Sequence, residues 1–169
     1  MTPNYFICMT QRTQGDIIQY LENGKIKEAS ARVELSAGGT ENFVIKSPAD
    51  VEDVVSILYF TISNTATVSL DFYNQTNIDD SGTDMYIMNS KSTELCDTDQ
   101  VFEFGGSYSG GTKKGEDLFG AGAKNRAVGA KSEGIRRIVS DGDAVRYEFT
   151  NEDTSNSQQL AVKILFYEK

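Results

Sequence analysis

The sequence predicts an all-β domain, a jelly-roll or β-sandwich of about eight strands with an N-terminal arm and a long glycine-rich loop. Three observations carry this reading. Apolar and polar residues alternate with the two-residue period of half-buried strands, turn residues separate those stretches at short intervals, and helix-period patterning is scarce. The 169 residues suit one domain, large enough to bury a real core.

Residues 1–30 read as an arm, because their hydrophobic pattern is broken and does not continue into the strands. Within it, residues 13–24 fit either a turn or two of helix stopped by Gly24 or a short hairpin ending at Asn23-Gly24. The sandwich domain is expected to span 31–169, beginning with short strands at 31–35 and 42–46 around the Ala37-Gly38-Gly39-Thr40 turn. Residues 54–62 are apolar on both faces and rich in β-branched and aromatic side chains, as a central strand covered from both sides requires.

Residues 67–73 alternate cleanly, with Val68, Leu70 and Phe72 on the core side and Thr67, Ser69 and Asp71 outside. Shorter strands are expected at 85–88, 101–104 and 135–139. Asp141-Gly142 is a hairpin signal ahead of a strand at 144–150, whose inward residues are Val145, Tyr147 and Phe149. A closing strand at 160–167 turns Leu160, Val162, Ile164 and Phe166 inward and leaves Lys163 and Tyr167 outside.

Composition removes most enzyme designs. The chain has no histidine, so Ser-His-Asp and Cys-His catalysis, the common zinc sites and an imidazole switch are all absent. Cys8 and Cys96 form no CxxC arrangement and read as buried free thiols rather than a disulfide. A net charge of −9 argues against nucleic acid as a partner, since phosphate contacts need cationic surface. No apolar run is long enough for a membrane span, and the N-terminus lacks the segments of a signal peptide. The expectation is a soluble protein made in the cytoplasm, without catalytic residues, cofactor or metal.

Nine glycines fall between residues 105 and 134, a glycine-rich insertion too long for an ordinary loop. From Lys113 to Arg137 seven basic residues (Lys113, Lys114, Lys124, Arg126, Lys131, Arg136, Arg137) face three acidic ones, so an acidic body carries a basic loop. These seven are the candidate partner-binding residues, suited to an acidic neighbour through complementary potential. Arm and loop have too little apolar content to fold alone and are expected to order on binding. Gly110-Gly111-Thr112-Lys113-Lys114-Gly115 lacks the spacing of a phosphate loop. The acidic pairs Asp79-Asp80, Asp97/Asp99 and Asp141/Asp143 read as turn chemistry before calcium sites. Tyr59, Tyr73, Tyr86, Tyr108 and Tyr167 could form a sugar-stacking platform, although tyrosines on outward strand faces more often pack across strands or meet proteins.

The run Gly39-Thr-Glu-Asn-Phe-Val-Ile-Lys-Ser47, then Val68-Ser-Leu-Asp-Phe-Tyr73, Gly82-Thr83 and Tyr86-Ile-Met-Asn89 is followed by a glycine-rich insertion. Ala144-Val-Arg-Tyr-Glu-Phe-Thr-Asn151 and Val162-Lys-Ile-Leu-Phe-Tyr-Glu168 complete it. This order resembles tailed-phage virion structural proteins built on a single β-sandwich. The resemblance implies a capsid decoration, or cement, protein on the outer capsid surface of the virion, bound to the major capsid protein and often trimeric. The alternatives are a neck, tail or fibre component that connects virion proteins or touches the host surface, and a carbohydrate-binding module.

Overall fold

The structure, a computed structural model, describes residues 25–50, 53–62, 67–91, 95–119 and 135–168. Thirteen strands appear among them: β1 (Lys27–Leu35), β2 (Thr40–Lys46), β3 (Val54–Ile62), β4 (Val68–Asn74), β5 (Asn77–Asp80), β6 (Thr83–Asp84), β7 (Tyr86–Asn89), β8 (Val101–Phe104), β9 (Ser107–Ser109), β10 (Thr112–Phe119), β11 (Ile135–Val139), β12 (Ala144–Asn151) and β13 (Gln158–Glu168). The described residues contain no helix, so none there could cross a membrane. The chain is all-β, in antiparallel sheets, as expected.

A five-stranded sheet in the order β11-β3-β13-β1-β7 faces a six-stranded sheet in the order β10-β4-β12-β2-β8-β6. A small sheet pairs β5 with β9. The period-two pattern decides which side of each strand is inside. Leu160, Val162, Ile164 and Phe166 of β13, and Val145, Tyr147 and Phe149 of β12, are at most 2% exposed. Rings from both sheets meet between them: Phe149 lies edge-on to Phe43 at 5.7 Å and to Phe60 at 5.0 Å, while Phe102 meets Phe166 at 4.2 Å. Burying each such ring contributes about 2–3 kcal/mol.

Tyr147 is fully buried in this core, and burial pushes its phenol pKa up to about 12. The unfolded chain loses the same proton near pH 10. Whatever stability the neutral phenol confers is therefore complete below about pH 10 and is lost as the pH rises towards 12. Urea midpoints measured across that range are expected to fall with pH for the wild type, and to fall less for Tyr147→Phe.

Four expectations need correction. β1 starts at Lys27, inside the expected arm, and Ala29 is fully buried between Ile87 and Ile164. Its inward positions begin with Lys27, Ala29 and Ala31, charged or too small to mark a strand in the hydropathy pattern. Residues 1–24, with the helix-or-hairpin alternatives at 13–24, lie outside the described residues.

The glycine-rich insertion is not one loop either, because β9 and β10 occupy 107–109 and 112–119. In β10 the inward positions are Gly115, Asp117 and Phe119, opposite Phe72, Leu70 and Val68. Glycine is required at 115, since a Cβ there would sit 2.1 Å from the Phe72 ring. Glycine and aspartate at inward positions conceal the strand from its apolar pattern. Residues 120–134 lie outside the described residues.

The Asp141-Gly142 turn closes no hairpin. β11 pairs with β3 while β12 pairs with β2 and β4, so the turn carries the chain from one sheet to the other. A tight turn reverses direction, but the apolar faces of both flanking strands are satisfied only across the core. Gly142 supplies the left-handed step at φ 73°, and Asp141 accepts a hydrogen bond from the Asp50 N–H at 2.8 Å. The strand total is also higher than about eight, because β5, β6, β9 and β10 carry mostly polar, glycine or exposed residues.

Candidate binding surface

The outer faces of the two sheets differ. On the six-stranded sheet, Tyr73, Arg146, Val44 and Glu103 form one row across β4, β12, β2 and β8. Solvent should reach such a row, yet Val44 is 0%, Glu103 2% and Arg146 8% exposed. The β5–β9 pair and the turn after β5 lie against it: Arg146 donates from Nη1 to the Tyr108 carbonyl of β9 at 3.1 Å, and the Gly82 N–H of the turn donates to Glu103 at 3.3 Å. The Arg146 guanidinium also stacks 4.0 Å over the Tyr73 ring. This face is closed and structural.

The outer face of the five-stranded sheet is apolar over much of its extent. Alternation puts Val55, Ile57 and Tyr59 of β3, Leu165 and Tyr167 of β13, Ile138 of β11 and Tyr86 and Met88 of β7 on this side. The solvent side of an antiparallel sheet is ordinarily polar. Ile138 is 54% and Tyr86 59% exposed, whereas Val55 is 4% exposed and Ile57, Leu165 and Tyr167 are partly buried, so among the described residues the apolar surface is most open at its two edges, Ile138 and Tyr86.

Beside it a groove of about 670 Å³ opens, lined among others by Tyr59, Tyr86, Glu28, Arg32, Lys163 and Asp84. The register explains its depth. Tyr59, Lys163, Ser30 and Tyr86 form one row across β3, β13, β1 and β7, and Thr61, Ala161 and Arg32 form the next. Ser30 and Ala161 are small and make a floor between taller neighbours. Lys163 pairs diagonally with Glu28 of β1 at 2.9 Å, on the side of Ser30 away from Ala161. β7 pairs with β1 only as far as Ser30, so the groove runs off the side of the sheet at Ala31, where Phe104 and Asp84 from the other sheet close it.

The seven basic candidates do not form one patch among the described residues. Lys113 pairs with Asp71 at 2.7 Å and with Glu116 at 2.9 Å, and hydrogen bonds to these carboxylates hold its pKa above the usual lysine range. Lys114 is exposed, at the bulge where β10 skips register against β4. Arg137 turns its guanidinium over the Phe72 ring at 4.5 Å. Arg136 belongs to β11, while Lys124, Arg126 and Lys131 lie outside the described residues.

The five tyrosines are likewise divided. Tyr59 and Tyr86 share the groove, Tyr167 lies elsewhere on the same face, and Tyr73 and Tyr108 belong to the closed layer. Tyr108 is held there: the Gly106 N–H donates to its hydroxyl at 3.2 Å, and burial raises its pKa far above the usual phenol value. Sequence reasoning missed the pairing of Tyr59 with Tyr86, which only the register of four strands reveals. Its one trace in the sequence is the alternation that turns both outward.

Among the described residues no three or more Cys, Asp or Glu side chains converge in a way that could hold a metal ion. Cys96 is a free, partly buried thiol, and burial raises its pKa. Cys8 lies outside the described residues.

Fold and surface together define a β-sandwich whose described residues close one outer face and leave the other partly exposed. No protein-family model matches the chain, and no curated protein matches it. Among solved structures it is similar to the Yersinia pseudotuberculosis-derived mitogen at 8% identity and a TM-score of 0.38, covering 81% of this chain and 83% of that one. It is similar to a protein from Bacillus endospore appendages, a family of disulfide-linked pili, at 10% identity and a TM-score of 0.33, covering 86% and 90%. A third is the CBM2 module of the evolved Dit of Lactobacillus casei BL23 phage J-1, at 9% identity and a TM-score of 0.28, covering 82% and 68%. Likenesses this distant assign no activity, ligand or partner to this chain.

Proposed function

We propose that the chain is a non-enzymatic structural protein of a tailed-phage particle, a decoration protein that binds the major capsid protein on the outer capsid surface as a homotrimer. The observation that carries the protein-binding part is the partly exposed apolar strip of the five-stranded sheet, with Ile57, Leu165 and Tyr167 flanked by exposed Ile138. Apolar strips of this kind mark contact surfaces. The phage part is supported by the strand and turn motifs from Gly39 to Glu168. Lys114 and Arg136, together with Lys124, Arg126 and Lys131 outside the described residues, are proposed to add charge to the contact, which sets its orientation and salt dependence.

The test mixes the purified protein with undecorated capsids of its own particle. Saturable binding at hundreds of copies per capsid is expected, weakened at least tenfold by Ile138→Glu and weakened by salt. Lys114→Ser is expected to reduce the salt dependence, whereas Lys113→Ser does so less because Lys113 is engaged by Asp71 and Glu116. Binding to isolated tails at a dozen copies or fewer, with none to capsids, would move the assignment to the neck, tail or fibre.

A further inference from the structure

We infer that the groove between Tyr59 and Tyr86 is a binding site for a neutral oligosaccharide, separate from the apolar strip and independent of the particle to which the chain belongs. The two tyrosines stand at the ends of one row that crosses four strands. At about 4.8 Å per strand they are about 14 Å apart, enough for a short run of sugar rings between two aromatic walls. Aromatic side chains offer the flat apolar faces on which the C–H faces of sugar rings stack, and both tyrosines add a hydroxyl at the rim.

The charges in the groove favour a neutral ligand. Glu28 and Asp84 oppose Arg32 and Lys163, so the lining carries two negative and two positive groups and no net charge. An anionic ligand would gain from the cations and lose against the carboxylates. A ligand with neighbouring hydroxyls uses both kinds, giving protons to carboxylates and accepting them from ammonium and guanidinium groups. Ser30 and Thr61 add hydroxyls to the same lining.

The groove also has the build of a small-molecule site. Its volume of about 670 Å³ falls within the usual range for ligand pockets, roughly 300–1,000 Å³. Its floor is made by regular strands at Ser30 and Ala161, so the walls are held by ladder hydrogen bonds on rigid elements. Glu28 is only 14% exposed and Lys163 52%. The carboxylate is thus placed by the sheet while the lysine can reorient onto a ligand.

Affinity electrophoresis in native gels cast with galactan, mannan, xylan or glucan tests the inference, with polygalacturonate as the acidic control. At least one neutral polysaccharide is expected to retard the wild type. Tyr86→Ala, at an exposed position, and Tyr59→Ala are each expected to weaken that retardation at least tenfold. Ala161→Leu, which fills the floor while keeping both rings, is expected to do the same. Thermal melts establish that each variant is folded, and Tyr86→Ala with Ala161→Leu suffices should Tyr59→Ala not fold. The inference is overturned if no neutral polysaccharide retards the wild type, if retardation survives these substitutions in folded protein, or if polygalacturonate binds more strongly than every neutral polymer.

Discussion

Phe149→Ala is expected to lower the free energy of unfolding by about 3–5 kcal/mol, the usual cost of emptying a ring-sized site in a core. Phe149 is 0% exposed and lies edge-on to Phe43 of β2 at 5.7 Å and to Phe60 of β3 at 5.0 Å. It therefore joins three strands from both sheets, and neither sheet can close the cavity without moving against the other. Against a total stability of about 5–15 kcal/mol for a domain, this change alone can bring the chain close to unfolding at physiological temperature. Urea denaturation followed by tyrosine fluorescence gives the number. Phe104→Ala is the control, since Phe104 stacks on Phe43 at 5.8 Å but is only partly buried. It is expected to cost less than half as much, and equal costs would show that the core is not centred on Phe149.

Arg146→Ala is expected to cost about 2–4 kcal/mol, from a desolvated cation–π contact and a charge-assisted hydrogen bond lost together. Its guanidinium stacks 4.0 Å over Tyr73, donates to the Tyr108 carbonyl at 3.1 Å and reaches Glu148 at 3.9 Å. The loss should be local before it is global. Hydrogen exchange is expected to quicken in β5 and β9, which Arg146 ties to the six-stranded sheet, while β3 and β13 keep their protection. Arg146→Lys should recover only a minor part, because an ammonium cannot stack flat on the ring while also donating to the carbonyl. Unchanged exchange in β9 would mean that the small sheet is held by other contacts.

Much of the strand framework was legible because a period of two is written directly into β4, β12 and β13. Val68, Leu70 and Phe72, or Leu160, Val162, Ile164 and Phe166, cannot all be buried by any other regular backbone. β3 was legible only in part. Its second apolar set, Val55, Ile57 and Tyr59, was expected to be covered like the first; it lies on the outer face of the five-stranded sheet, where Val55 is buried at 4% while Ile57 and Tyr59 stay partly exposed. Where inward residues were small or polar the pattern was silent, as at Ala29 of β1 and at Gly115 and Asp117 of β10.

The binding surface was less legible. Seven basic residues close in sequence suggested one patch, yet Lys113 is bound by Asp71 and Glu116, and Arg137 lies over Phe72. Charge counted along a chain says nothing about which carboxylate or ring will be adjacent once strands pair. Tyr73 and Tyr108, grouped with Tyr59 and Tyr86 by residue type, are engaged in the closed layer for the same reason.

By itself the sequence determined that this protein is built of strands, which side of the main strands faces the core, and that histidine-based chemistry is absent. These properties follow from side-chain type and from neighbours a few residues apart. Only the tertiary structure decided that Asp141-Gly142 links two sheets instead of closing a hairpin, that one outer face is closed by Arg146, Tyr108 and Glu103, and that Tyr59 and Tyr86 end one row of a groove on the other. Each of those depends on strand order and register between distant segments, which are set by the joint packing of two sheets and by no local stretch of the chain.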